Sequence, residues 1–228
     1  MAQIKIFRLR ARNTKLGLAN LGDLQYTSPN QLNPIMKLLK IITLLLVGLF
    51  STLTTTTVFA DLAKDLTDGQ HVLMMRHADA PGIGDPPGYQ LNQCSTQRNL
   101  GELGEKESGL IGQWLKNQGI TSARVLSSPW CRCLDTASLL NLGSVTGAPE
   151  LGSFFDNMSL EKQQTRNLEK LIKNKLASGS KTPLILVTHH VNIQAFTGKA
   201  VSVGDMVLVK VNQNGQYVSH QHYPNPRI

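Results

Sequence analysis

The run Pro183-Leu184-Ile185-Leu186-Val187 constrains this chain more than any other segment. With no polar side chain in it, the run predicts a strand covered on both faces. Such strands belong to parallel sheets flanked by helices. Two shorter stretches read the same way, Val72–Met75 after Gly69 and Arg124-Val125-Leu126-Ser127. Helical patterns lie between them. Glu102–Gln118 places Leu103, Leu110, Ile111, Trp114 and Leu115 at helical spacing and is stopped by Gly119. Pro129–Leu140 opens on a proline, where a missing N–H costs nothing. Leu160–Leu176 carries Leu168, Leu171, Ile172 and Leu176 on one face, and Lys170, Lys173 and Lys175 as a solvated face. A short helix over Val191–Phe196 follows the apolar strand. Asp205–Val211 and Tyr217–His220 flank Asn214-Gly215, a two-residue hairpin pattern. Alternating strands and helices predict an α/β fold, a three-layer α/β/α sandwich with a mostly parallel sheet and an edge hairpin. Ala78–Asn99, rich in Gly, Pro, Asn and Asp, reads as one long loop, a length that usually carries function.

The charge of the chain sits largely outside this pattern. Of 23 basic residues, seven precede Asp61, against a single acid there, Asp23; from Asp61 onward the balance is nearly neutral. A nucleic-acid-binding surface is therefore not expected. Met36-Lys37-Leu38-Leu39-Lys40, the apolar run Ile41–Phe50 and Val58-Phe59-Ala60 have the order of an export signal. The run is short for a membrane span, which needs about 20 apolar residues; an uncleaved anchor reaching through the Thr run is the alternative. The reading is a signal peptide over 36–60, cleaved after Ala60, and one mature domain over 61–228. Residues 1–35 are either an extended N-terminus or, if translation starts at Met36, not part of the protein. A periplasmic or secreted location is expected, with no stable span once the signal is removed.

Three residue groups fall directly after predicted strands, where open α/β sheets build their sites. They are Arg76-His77-Ala78, Ser127-Ser128-Pro129-Trp130-Cys131-Arg132, and Thr188-His189-His190. Two histidines and two arginines converging on one point suit phosphoryl transfer. An imidazole attacks phosphorus while guanidinium groups hold the equatorial oxygens and offset their charge. The helix beginning after Ser128 adds its N-terminal N–H groups for the same anion. Taken singly, each group has a plain structural reading: Arg132 paired with Asp135 at the surface, His77 an ordinary loop histidine, Trp114 part of the core. The spacing of all three favours the site. A cysteine phosphatase is excluded by counting, since no cysteine has an arginine six positions on.

These motifs resemble the histidine phosphatase superfamily, with its phosphoglycerate mutase-like fold. Arg76-His77-Ala78 is similar to the family's Arg-His-Gly. Ser127-Ser128-Pro129-x-x-Arg132-x-x-x-Thr136-Ala137 matches a second family segment at every fixed position, and Thr188-His189-His190 is similar to Ser/Thr-His-Gly. Asn99-Leu100-Gly101-Glu102-Leu103-Gly104 resembles the Pro-Leu-Thr-x-x-Gly turn between them. The resemblance implies that His77 is a nucleophile forming a phosphohistidine, that Arg76 and Arg132 bind the phosphoryl oxygens, and that His189 hydrogen-bonds to them. No cofactor or metal is implied. It implies a metal-independent phosphomonoesterase of the histidine acid type, acting on a small phosphorylated substrate, which the signal over 36–60 would export; a cell-envelope component follows from location alone. A phosphoglycerate-type mutase and a non-catalytic phosphate-binding module of the same fold are the alternatives.

Where the chain departs from the family, further expectations arise. Ala78 replaces a Gly, which is harmless unless the backbone there needs positive φ. His190 replaces another Gly and either orients substrate or caps the helix. Arg98, beside Thr96 and Gln97 in the long loop, is a candidate for a second anionic group, and Ser128 for the phosphoryl group. The family's general-acid Glu corresponds to Ser153, with Glu150, Asp156 and Asp79 as substitutes, so leaving groups of low pKa are expected to react best. Activity is expected to fall as His77 protonates, the neighbouring arginines favouring its neutral form. In an oxidising compartment Cys94 is expected to bridge Cys131 or Cys133 and pin the loop, leaving one buried thiol. His220 and His222 read as a frayed tail, not a metal site.

Overall fold

The structure is a computed structural model and describes residues 61–226 together with 33–35, 38 and 39. Residues 34, 35, 38 and 39 are helical; apart from 38 and 39, the export-signal segment 36–60 lies outside the described residues. From Asp61 the chain forms α1 (Asp61–Asp65), β1 (His71–Arg76), α2 (Glu102–Asn117), β2 (Arg124–Ser127), α3 (Cys131–Leu139) and β3 (Val145–Gly147). There follow α4 (Glu161–Leu176), β4 (Leu184–Thr188), α5 (His190–Thr197), β5 (Met206–Val211) and β6 (Tyr217–Tyr223).

The six strands form one sheet in the order β3-β2-β4-β1-β5-β6. β3, β2, β4 and β1 run parallel, with Arg76 level with Thr188 and Ser127 level with Val187. β5 runs antiparallel to β1, and β6 antiparallel to β5 at the edge. The alternation along each strand feeds two cores. Leu73, Met75, Ile185, Val187, Met206 and Leu208 face Leu62, Ile111, Leu115 and Ala137 of α1, α2 and α3. Val72, Met74, Leu184, Leu186, Val207 and Val209 face Leu168, Ile172, Ile193 and Phe196 of α4 and α5. This is why the strands read as unbroken apolar runs: successive side chains point to opposite faces, and both faces are covered.

Five details differ from the sequence reading. Leu103 and Leu110 of α2 are exposed, and only Ile111 and Leu115 of the apolar stripe are fully buried; Trp114 packs partly buried against the core beside Tyr223. β3 carries no apolar run, because it is three residues long and largely exposed. The hairpin connection between β5 and β6 spans residues 212–216, not two residues. Asn212 Oδ1 accepts from the N–H groups of Asn214 and Gln216, which closes the wider turn. The expected frayed tail is instead strand β6, where His222 Nε2 lies 3.0 Å from Asp205 Oδ2. Helix α1 was not expected from the sequence; the remaining strands and helices lie within about two residues of the expected bounds.

The topology reverses between β1 and β4. The chain leaving β1 passes to β2 on one side, while the chain leaving β4 passes to β5 on the other. Connections that diverge in this way leave a crevice at the carboxyl ends of the two strands. His77 and His189 are the first residues beyond them.

Candidate active site

His77 is fixed to β4 by its own backbone, whose N–H donates to the Thr188 carbonyl at 3.0 Å. Its Nδ1 lies 2.8 Å from the Ala78 carbonyl oxygen, which can only accept. Nδ1 therefore carries the proton and Nε2 keeps its lone pair. Burial is the main force on this imidazole, and the charges of Arg132, Arg76 and Arg98 add to it; together they push its pKa down to about 3 despite the Ala78 bond. The expected neutrality is thus present, but desolvation causes it more than the arginines do. Ala78 is not at positive φ, so the family's glycine has no conformational task at this position. The Ala78 N–H donates to Thr136 Oγ1 of α3.

His189 caps α5 and stands edge-on to His77, with ring centroids 5.5 Å apart. Its Nε2 is turned inward, 2.8 Å from Ser128 Oγ and 3.5 Å from the sulfur of buried Cys133. Trp130 closes against the same ring at 5.2 Å. Burial first, then repulsion between the two imidazoles if both were protonated and the charge of Arg132, holds His189 well below the usual histidine range. Burial likewise pushes the Cys133 thiol up to about 12, so it is neutral beside the imidazole. Ser128 lies behind His189, fully buried, and does not line the cavity. It orients the histidine.

Arg76 and Arg132 both line the cavity. The Arg76 Nη1 donates to the Val201 carbonyl at 3.0 Å. Arg132, in the first turn of α3, grips Asp85 with contacts of 2.9–3.1 Å; the two side chains are 4% and 3% exposed. The partner of Arg132 is thus Asp85 and not Asp135, the surface pairing that the spacing of the motifs had already disfavoured. Removing one partner of so deeply buried a pair typically costs about 3–5 kcal/mol. Burial alone would raise the Asp85 carboxyl, but hydrogen bonds from Arg132, the Arg98 N–H and Trp130 outweigh it and hold it below the usual range. Both Arg76 and Arg132 retain a buried Nε–H with no acceptor among the described residues.

These side chains surround a cavity of about 230 Å³, lined by Arg76, His77, Arg98, Arg132, His189 and His190, with Asp85, Gly82, Ile83, Gly84, Ser153, Phe155 and Asp156. His190 stacks edge-on with the half-exposed Phe155 at the rim, 5.6 Å between centroids, and burial followed by the nearby arginines lowers its pKa. Arg98 spends donors on its own loop, to the Gly84 carbonyl at 2.8 Å and to the Ala80 carbonyl. Of the substitutes for the family's Glu, only Asp156 lines the cavity; it accepts from Tyr89 Oη at 3.4 Å. Glu150 faces a separate hollow beside α4. The N–H groups expected to be free at the start of α3 are partly taken, since Cys131 N–H donates to Gln97 Oε1 at 3.0 Å.

The disulfide joins Cys94 to Cys131 and leaves Cys133 free and buried. It ties the long loop to the residue preceding Arg132. Sequence reasoning missed Asp85, which belongs to no motif; the only hint was an acid set between glycines and prolines in a loop that a cysteine could anchor. Among the described residues, the cluster with metal-ligand spacing is Asp65, Asp68 and His71, in and after α1 and outside this cavity.

The architecture, a six-stranded mixed sheet between helices, is the expected phosphoglycerate mutase-like fold. The chain is similar to mycobacterial hydrolase 1, at 14% identity over 70% of this chain and 99% of that one, with a TM-score of 0.51. It is also similar to the protein histidine phosphatase SixA complexed with tungstate (22% identity, 68% of this chain and 97% of that one, TM-score 0.48). A third solved relative is mycobacterial glucosyl-3-phosphoglycerate phosphatase, at 14% identity over 68% of this chain and 98% of that one, with a TM-score of 0.49. No family model matches the sequence, and no curated protein matches it.

Proposed function

We propose that the protein is an exported, metal-independent phosphomonoesterase of the histidine acid type that works through a phosphohistidine on His77. The observation that carries this is the pairing of one neutral imidazole, its Nε2 lone pair free, with two buried arginine Nε–H donors that lack an acceptor. A tetrahedral dianion supplies the acceptors those donors lack, and its phosphorus meets the lone pair.

In the first step the Nε2 lone pair forms an N–P bond, and the P–O ester bond breaks with its electron pair leaving on the alcohol oxygen. Arg76, Arg132 and the cavity-facing side of His189 hold the equatorial oxygens as their charge grows. In the second step water attacks phosphorus, the N–P pair returns to Nε2, and phosphate is released. Asp156 is the one carboxylate of the three substitutes within the cavity lining, together with Ser153 and Phe155. The site supports a small phosphorylated substrate, with the half-exposed Phe155 and His190 offering a flat surface to its organic part.

The test is turnover of p-nitrophenyl phosphate by the full-length chain, with and without chelator, beside His77→Ala. The reading expects chelator-resistant activity that drops at least about 1,000-fold in the variant, the scale expected for loss of a nucleophile. Equal activity in both proteins, or activity abolished by chelator, would overturn it. Phosphate binding without turnover in the folded wild type would favour the phosphate-binding module instead.

A further inference from the structure

Arg132 has five N–H donors, and protein acceptors account for three of them. Nη1 donates to Asp85 and to the Arg98 carbonyl, at 2.9 and 3.2 Å, and Nη2 donates once to Asp85 at 3.1 Å. What remains is one Nη2 hydrogen and the Nε–H. In a planar guanidinium these two lie parallel along a single edge, the pair that grips two oxygens of a phosphoryl group. The Nε–H of this pair is buried and without an acceptor among the described residues.

Asp85 is itself saturated. Its Oδ1 accepts from Arg132 Nη1 and from the Arg98 backbone N–H, each at 2.9 Å. Its Oδ2 accepts from Arg132 Nη1 and Nη2 and from the Trp130 indole N–H, each at 3.1 Å. The loop around it is held at two further points. The Arg98 side chain binds the Gly84 and Ala80 carbonyls, and the disulfide joins Cys94 to Cys131.

We propose that Asp85 is a positioning residue for phosphoryl binding: it clamps the Nη1/Nη2 end of Arg132 and thereby presents the Nε/Nη2 edge to the phosphoryl oxygens. The proposal rests on the phosphatase reading of this cavity. A rival role for the same carboxylate is that of an occupant sitting where the anion binds, displaced when substrate arrives. The donor count speaks against it, because displacement would strip five hydrogen bonds from Asp85 while the free edge of Arg132 already suits the anion. Geometry and charge pull in opposite directions here. A carboxylate beside the site repels a dianion, so a pure charge effect predicts tighter phosphate binding once Asp85 is gone. A positioning effect predicts weaker binding.

Calorimetric titration of the full-length chain with inorganic phosphate separates the two without requiring turnover. The proteins are wild type, Asp85→Ala, Asp85→Asn, Arg132→Ala and the Asp85→Ala/Arg132→Ala double variant. Loss of aligned charge-assisted hydrogen bonds should weaken phosphate binding about tenfold or more in Asp85→Ala, and less in Asp85→Asn, which keeps one acceptor oxygen. In the Arg132→Ala background the Asp85 substitution should add nothing, because Asp85 acts through that arginine. Unchanged or tighter binding in the Asp85 variants overturns the proposal, as does an equal loss in both backgrounds. If Asp85→Ala fails to fold, Asp85→Asn with an unchanged melting temperature decides the same question. A folded wild type that binds no phosphate brings down the phosphatase reading and this proposal with it; binding in wild type that Asp85 does not influence brings down this proposal alone.

Discussion

His77 is kept neutral by burial first and by its arginine neighbours second, and this changes what acid should do to the protein. From the sequence, the neighbouring arginines were the visible cause and the ordinary histidine range the expected place for activity to fall. With its pKa pushed down to about 3, the imidazole stays unprotonated well below that range. Turnover, corrected for ionisation of the substrate, should therefore persist at about pH 5, where a free histidine is mostly charged. The same shift is a statement about stability. The unfolded chain takes up the His77 proton near 6.5 and the folded chain only near 3, so stability is complete above the first value and is lost as pH falls towards the second. His189 acts in the same direction. Urea midpoints at about pH 7.5 and pH 4.5 should show a smaller drop in His77→Gln than in wild type. An identical drop in the two would contradict a buried neutral His77. The two histidines, Arg76 and Arg132 were legible because each lies at or shortly beyond the end of a strand. Asp85 was not, because a carboxylate's partner 47 residues away leaves no local pattern.

Among the elements, the loop over residues 78–99 contributes most to the site and was least legible. Its length and composition marked it as a loop, but its course depends on long-range ties: the Arg98 side chain to its own carbonyls, Gln97 to the start of α3, and Cys94 to Cys131. The sequence left two partners open for Cys94; burial of Cys133 beside His189 goes with the choice of Cys131. Closing a loop with a sequence separation of 37 is worth about 3–4 kcal/mol by chain entropy. Cys94→Ser should lower the free energy of unfolding by about that amount in urea titration, and a loss below about 1 kcal/mol would mean the loop is ordered without the bridge. The β5–β6 connection offers a second lesson. Gly215 was read as half of a two-residue turn, and it does take positive φ, at 77°. Yet it also lies against α4, where an added Cβ would meet the Glu169 carbonyl 2.1 Å away. Close approach to a helix distant in sequence is not encoded by a turn pattern.

At the scale of the molecule, the sheet was the most legible feature because its physics is local. Strands covered on both faces must be apolar throughout, and helices between them force parallel crossovers. The order of the strands was not legible, since β3 is too short and exposed to register and nothing local places β4 between β2 and β1. That order creates the crevice in which residues 76, 77, 132 and 189 meet around one cavity. The central claim is that this crevice carries out phosphoryl transfer through His77, and the geometry adds a regiochemical requirement. With Nδ1–H donating to the Ala78 carbonyl at 2.8 Å, only Nε2 is free to attack. The most direct measurement is rapid alkaline quench of the full-length chain turning over an aryl phosphate, followed by ³¹P NMR and peptide mapping of the trapped phosphoenzyme. The account predicts one phosphohistidine, at His77 and on Nε2. A phosphoryl group on Nδ1, on another residue, or on none during measurable turnover would contradict it.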